Sequence, residues 1–290
     1  MTFLKRRIDV VFQLGTGVFG ESGTNTVTCS GLRVQAHIDK VFGPGMGEAQ
    51  VRLYGRTPSL MNQLSSLNQA TMATRKNTIL ISAGDDVNGM ATVFQGQIMI
   101  SQIMLNTAPD TALMVLAQGG AFAAVQLVAP TSYPGAADAA VVMQNLAHLA
   151  GLEFENNGVS MQLATPYYPG SPLEQIRRCA EAGRAVFDYV IDDKTLAIFP
   201  VGGARGTQIP VISPDTGMVG YPNYSTSVYG IELTTLFNPL LRPGGKVQVK
   251  SGLEVANGTW QVFNLQHELE SETPNGQWFT RFSGASLSVQ

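Results

Sequence analysis

Strand-type apolar runs punctuated by glycine recur along most of this chain, and helical spacing is confined to a few stretches, a pattern that restricts it to a mainly β fold. The first 130 residues predict strands at Ile8–Leu14, Thr24–Cys29, Leu32–Phe42, Ala49–Tyr54, Thr78–Ala83, Ala91–Asn106 and Thr111–Val128, with glycine-bearing turns between them. The run ATVFQGQIMISQIMLN is long enough to bend, and Gly96 marks the expected bulge. One helix interrupts the strands. Thr57 and Pro58 form an N-cap and first-turn pair, after which Leu60, Leu64 and Leu67 fall on one face.

The prolines and glycine of VAPTSYPGAAD change both composition and period, and a mixed α/β stretch follows. Val142, Leu146 and Leu149 share a helical face that ends at Gly151, and LEFENNG gives a short strand and turn. A second helix carries a capping box, with Ser171 as N-cap, Pro172 at the first position and Glu174 at the third; it buries Leu173, Ile176 and Ala180 and stops at Gly183. AVFDYVIDDKTLAIFP then reads as a β-hairpin whose turn holds Asp192, Asp193 and Lys194. From Gly206 onward the pattern is β again, apart from a brief turn near Leu236. The expected domains are 1–130 (β), 131–205 (α/β) and 206–290 (β), without a visible internal repeat.

Bulk properties narrow the function. Cys29 and Cys179 are far apart and have no metal-ligand spacing, so neither a disulfide framework nor a zinc site is expected. Charged residues make up 13% of the chain, about half the usual share, which suits a surface covered by partners. A net charge of −3 argues against a nucleic-acid binder that works by neutralising phosphates, which calls for a basic face, and no specific nucleic-acid binding is expected. Asp9 and Gln13 interrupt the apolar run of MTFLKRRIDVVFQLG, so it reads as a strand rather than a signal peptide. The longest apolar stretch, TALMVLAQGGAFAAVQLVAP, is split by Gln118, Gly119 and Gly120, and no membrane-spanning segment is expected. A soluble protein is expected, for which the sequons at Asn223 and Asn257 have no role.

Several constellations resemble chemistry without its context. Gly15, Gly17 and Gly20 spell GxGxxG, and Asp39 lies where a ribose-binding acid is sought, but the residues that follow predict strand and turn where a dinucleotide site needs a helix. His37, His148 and His267 have no HxH or HExxH spacing, and no GxSxG elbow presents a serine. The acid pairs Asp85/Asp86, Asp192/Asp193 and Glu153/Glu155 and the row Glu268, Glu270 and Glu272 are the candidates for glycosidase carboxylates, which stand roughly 5–9.5 Å apart, but none has an active-site context. The first two pairs read as turns. The row occupies alternate strand positions opposite Leu269 and suits a solvated face or the wall of an aqueous channel. Neither a catalytic, a cofactor nor a metal site is expected. Tyr167 and Tyr168, and Tyr221 and Tyr224 around Pro222, are aromatic loop residues; the second pair, in a long polar loop, is the candidate for partner contact.

GIELTTLFNPLLRPGGKVQVKSG carries the most specific signal. A strand is followed by Phe237, Asn238 and Pro239, then by Leu241, Arg242, Pro243 and Gly244, then by Val247 to Val249; Pro243 and Gly244 suit the second and third positions of a type II turn. This succession resembles the baseplate hub family of contractile phage tails, which includes the phage late control protein D group. The resemblance extends upstream through SPLEQIRRCAEAG and FDYVIDDKTLAIFP and, as pattern alone, to VFQGQI, so about half the chain carries it. It implies two tube-like β-barrel domains flanking an inserted α/β domain, and a homotrimeric ring around the DNA channel in the virion baseplate, assembled in the host cytoplasm. The implied partners are tail tube or tube initiator proteins, the spike protein, inner baseplate proteins and the tape measure protein. The sequence shows no lysozyme or spike segment, so a hub acting without its own cell-wall enzyme is expected. The alternatives are a tail-tube or sheath initiator of the same apparatus, or a tail-associated cell-wall hydrolase.

Overall fold

The computed structural model describes residues 4–20, 23–65, 76–105, 110–226 and 228–286. Contacts divide the chain into two units: Met1–Asp39, Glu48–Gly119 and Gln266–Thr280 form unit 1, and Lys40–Gly47, Gly120–Leu265 and Arg281–Gln290 form unit 2.

Unit 1 draws on β1 (Arg6–Gln13), β2 (Thr26–Cys29), β3 (Val34–Val41), β4 (Glu48–Tyr54), α1 (Pro58–Leu64), β5 (Thr78–Asp85), β6 (Gly89–Met104) and β7 (Ala112–Gln118). The strand order β2-β1-β5-β6-β7-β4-β3 is antiparallel throughout. Alternation explains the layer. Ile8, Val10 and Phe12 of β1, Ile79 and Ile81 of β5, and Val34, Ala36 and Ile38 of β3 are buried, while the residues between them face outward. The Thr57 side chain accepts from Leu60 N at the start of α1, and Leu60, Met61 and Leu64 are buried. Leu67, Asn106, Glu21 and Ser22 lie outside the described residues.

Two expectations for this unit need correction. Gly96 pairs regularly with Ile79, and the register of β6 shifts instead beside Val93 and Met99. Gly96 answers a different need: a Cβ there would stand 2.7 Å from the Phe94 ring and 2.8 Å from the Gln118 backbone. The expected strand Thr111–Val128 breaks at Gly120, whose φ of +71° turns the chain into helix α2 (Ala121–Val125), which belongs to unit 2. The apolar run has no period to separate strand from helix, and alanine favours the latter.

Unit 2 continues with β8 (Thr131–Ser132), β9 (Ala137–Asp138), α3 (Ala139–Leu149), β10 (Glu153–Asn156), β11 (Gln162–Leu163), β12 (Tyr167–Tyr168), α4 (Pro172–Gly183), β13 (Phe187–Asp192) and β14 (Thr195–Pro200). Asp138 caps α3 by accepting from Ala140 N at 2.7 Å, and Ser171 caps α4 by accepting from Glu174 N at 3.4 Å. The Glu174 carboxylate pairs with Arg178 at 3.2 Å, one turn along α4. Val142, Met143 and Leu146 of α3 and Ile176 and Cys179 of α4 pack with Ile191, Leu196 and Ile198 of the three-stranded sheet β10-β14-β13. Val190, Ala197 and Phe199 lie buried in a second cluster with Phe42, so the hairpin carries apolar residues at nearly every position.

The remaining strands are β15 (Val211–Ile212), β16 (Met218–Ser225), β17 (Gly230–Leu236), β18 (Lys246–Val249), β19 (Gly258–Ser271) and β20 (Trp278–Ser286), the last two having residues in both units. In unit 2 the order is β16-β17-β20-β19-β18-β15, around Ile231, Leu233, Val247, Val262 and Phe282. In unit 1 the order continues from β3 to β19 and β20, and no pairing among the described residues joins β20 back to β2. The fold is mainly β, with a large and mostly antiparallel sheet.

Candidate functional site

The GxGxxG stretch forms bends and a turn, the described residues on either side of it form no helix, and Phe19 is buried with its N–H donating to Thr24 O at 2.7 Å. Among the described residues of this stretch no helix N-terminus offers the amides that a pyrophosphate needs.

A dense cluster of charge is buried in unit 2, where sequence reading placed a turn. Asp193 does occupy the hairpin turn, at φ +55°, but Asp192 is the last residue of β13 and its side chain is 5% exposed. Lys40 Nζ lies 2.7 Å from both Asp192 and Asp193. Arg205 Nη1 reaches the other Asp192 oxygen at 2.6 Å, and its Nε reaches Glu155 at 3.2 Å. Burial alone would raise the Asp192 carboxyl, but Lys40 and Arg205 outweigh it and hold the group well below the usual carboxylate range. Burial works against the charge on Lys40 too, and Asp192 and Asp193 raise its pKa above the ordinary lysine value. Every member of the cluster faces an opposite charge, which makes it a fastener between β10, the β13–β14 hairpin, the end of β3 and the loop after β14. A sequence cue existed: Asp192 closes an otherwise apolar strand, and a buried acid requires a cation.

The turn motif is joined to that fastener. Gly245 N donates to Arg242 O at 3.0 Å across Pro243 and Gly244, with Gly244 at φ +80°, the geometry of a type II turn. Gly244 N donates to Val262 O and Gly244 O accepts from Arg205 N, each at 2.8 Å. A Cβ on Gly244 would stand 2.8 Å from the Phe199 ring. Glycine is therefore required both for its backbone conformation and for close approach, and the turn fixes the backbone of the arginine that neutralises Asp192. A second turn precedes it, where the Asn238 side chain accepts from Leu240 N at 3.0 Å beside Phe237 and Pro239.

Tyr221 and Tyr224 lie on β16, at the end of the strand order, and are 71% and 68% exposed; Tyr229, in the turn just before β17, is 75% exposed. Pro222 and a register shift between Val219 and Asn223 interrupt the strand, devices that discourage pairing with another edge. What this edge offers is therefore aromatic side chains.

One face of unit 1 is polar and rich in amides. Gln35, His37 and Asp39 of β3, Glu48, Gln50 and Arg52 of β4, and Gln266, Glu268 and Glu270 of β19 project from it. Gln266 donates to Asp39 at 3.0 Å, Gln118 to Glu48 at 3.0 Å, and Gln35 to Glu270 at 3.3 Å. Glu268 and Glu270 stand on one face as expected and line an open cleft of about 400 Å³ with Arg52 and His37. Glu272 leaves the row: it lies beyond β19 at φ +51° and pairs with Lys5 at 3.3 Å. Asp85 accepts from Val87 N and Asn88 N in the β5–β6 turn. Among the described residues no group of three or more His, Cys, Asp or Glu is placed to hold a metal ion, and no helix is long and apolar enough to cross a membrane.

Comparison with known proteins places this geometry. A family model described as baseplate hub gp41 matches residues 7–280. Among solved structures, a tail protein from Neisseria meningitidis MC58 is similar with a TM-score of 0.63 at 10% identity, over 97% of this chain and 96% of that one. The 43 kDa tail protein of prophage MuSo2 from Shewanella oneidensis gives 0.58 at 11% identity, over 96% and 98%. The Escherichia coli c3393 protein, a type VI secretion component similar in structure to the T4 tail proteins gp27 and gp5, gives 0.56 at 9% identity, over 88% and 73%. No curated protein matches the sequence significantly.

Proposed function

The chain belongs to the baseplate hub gp41 family, and from that premise we propose that it is a non-catalytic structural subunit of the central baseplate hub, forming a trimeric ring that joins the tail tube to the spike. The family match over 7–280 carries this reading. In it, segments 1–130 and 206–290 act as tube-like domains, with 131–205 inserted between them, and alternate around one lumen in a pseudo-sixfold ring. Neighbouring subunits close the wall, which accounts for a sheet whose order does not close within one chain.

The amide-rich face of unit 1 supports a lumen wall. Asp39, Glu48, Glu268 and Glu270 outnumber Arg52 there, so passing DNA meets hydrogen-bonding groups and few phosphate partners. Phe237, Asn238 and Pro239 serve as one structural turn, and Pro243 and Gly244 as the turn that seats Arg205. Tyr221, Tyr224 and their neighbour Tyr229 contact a partner, for which tube or tube initiator, spike, inner baseplate and tape measure proteins are the candidates. The work needs no cofactor, metal, specific nucleic-acid binding or membrane insertion, and its setting is the virion baseplate after assembly in the host cytoplasm.

Density of the assembled baseplate tests the reading. Three copies of the chain in one ring, with both β segments at the lumen, are expected. Six copies, or one β segment held away from the lumen, would overturn it and favour a tube or sheath initiator.

A further inference from the structure

The chain contains four asparagine–glycine pairs, beginning at Asn88, Asn157, Asn257 and Asn275. Glycine shields its backbone nitrogen least, so that nitrogen reaches the preceding side-chain amide most readily, unless the fold holds the amide elsewhere. The fold holds three of the four. Asn88 Nδ2 donates to Asp85 at 2.8 Å, and Gly89 is paired with Asp85 in the hairpin ladder. Asn157 donates to Glu155 at 3.0 Å and to Ile198 O at 3.3 Å, and accepts from Gly206 N at 2.9 Å. Asn257 accepts from Ser251 N at 2.6 Å and donates to Ser251 O at 3.1 Å, while Gly258 is paired with Val249.

Asn275 is different. It is exposed, it sits at φ +56° in the β19–β20 loop, and its side chain makes no hydrogen bond among the described residues. The amide of Gly276 is restrained by one turn bond, to Thr273 O at 3.1 Å.

We propose that Asn275 is the site at which the folded protein deamidates. Gly276 N gives up its proton to base and attacks Asn275 Cγ; the new N–Cγ bond replaces the bond to the amide nitrogen, which leaves as ammonia. Water then opens the five-membered imide at either carbonyl, leaving aspartate or isoaspartate. No oxidant or reductant takes part. The product adds a carboxylate to a loop that already holds Glu272 near Lys5. Isoaspartate also lengthens the backbone beside Gly276, whose carbonyl accepts from Arg6 Nη1 at 3.0 Å while the Arg6 guanidinium lies 5.7 Å from the Trp278 ring. Conversion therefore loosens the seat of the β1 N-terminus.

The test is peptide mapping by mass spectrometry of the intact folded chain held at mildly alkaline pH, with the same chain in concentrated urea as reference. In the folded chain Asn275 should convert several-fold faster than Asn88, Asn157 or Asn257, and in urea the four should converge. Asn275→Gln should remove the fast component and leave the other three rates unchanged. Conversion at Asn275 no faster than at the other three in the folded chain, or a bias that persists undiminished in urea, would overturn the proposal.

Discussion

Asp192 shows how much a single side chain carries when burial removes its solvent. Its two oxygens are divided between Lys40 and Arg205, so Asp192→Ala leaves two buried cations with less compensation, a change that costs about 3–5 kcal/mol. The exposed Glu174–Arg178 pair spans one helical turn, and Arg178→Ala should cost under about 1 kcal/mol. Urea unfolding of both variants checks the contrast, and equal costs would deny the cluster its role. The pH dependence has a definite sign. The folded carboxyl titrates below its unfolded value of about 3.9, so its contribution is present above that pH and is lost as pH falls below it. The gap between wild type and Asp192→Ala should therefore narrow below about pH 4. Pairing of adjacent acids suggested a turn in the sequence, and half of that reading holds: Asp193 is in the turn, whereas Asp192 depends on partners 152 and 13 residues away, for which no local pattern exists.

Elements whose ends are set by local chemistry were legible. Thr57, Asp138 and Ser171 stand at helix starts, those of Thr57 and Ser171 being marked in the sequence by the proline that follows, and the β13–β14 hairpin follows from two apolar runs about a short polar turn. Elements set by remote contact were not. The register shifts of β6 flank Gly96 rather than include it, because that glycine is there to admit the Gln118 backbone. Gly244 combines both kinds of constraint. Its positive φ follows from the Pro-Gly pair, but its approach to Phe199 does not, so substitution should cost more than strain alone suggests. Gly244→Ala is expected to lose more than the roughly 1–3 kcal/mol of backbone strain alone, since its Cβ already meets the Phe199 ring, and Gly244→Val more still through its branches. A Gly244→Ala loss in thermal unfolding no greater than strain alone gives would remove the packing half of that account.

For the whole molecule, the division of β3, β19 and β20 between two units has no signature along the chain, because partners such as Gln35 and Glu270 are 235 residues apart. Two of the three glutamates of HELESE, Glu268 and Glu270, keep the strand face legible in the sequence, but their company of Gln35, Gln50, Gln266 and Asp39 emerges only when β3, β4 and β19 come together. That company turns the proposed lumen into a matter of charge. If this face surrounds passing DNA, Glu48→Lys with Glu268→Lys places new cations where phosphates travel, and the resulting attraction weakens steeply with salt. Glu181→Lys, on the exposed side of α4, makes the same kind of charge reversal at one position, half the total change, away from that face. Virions carrying either change should assemble with normal baseplate density. Those with the paired change should eject DNA slowly at low ionic strength and recover as salt is raised, while Glu181→Lys virions should behave as wild type. Ejection kinetics followed by dye release decide between the outcomes: equal rates for the two variants at low salt would place this face away from the path of the DNA.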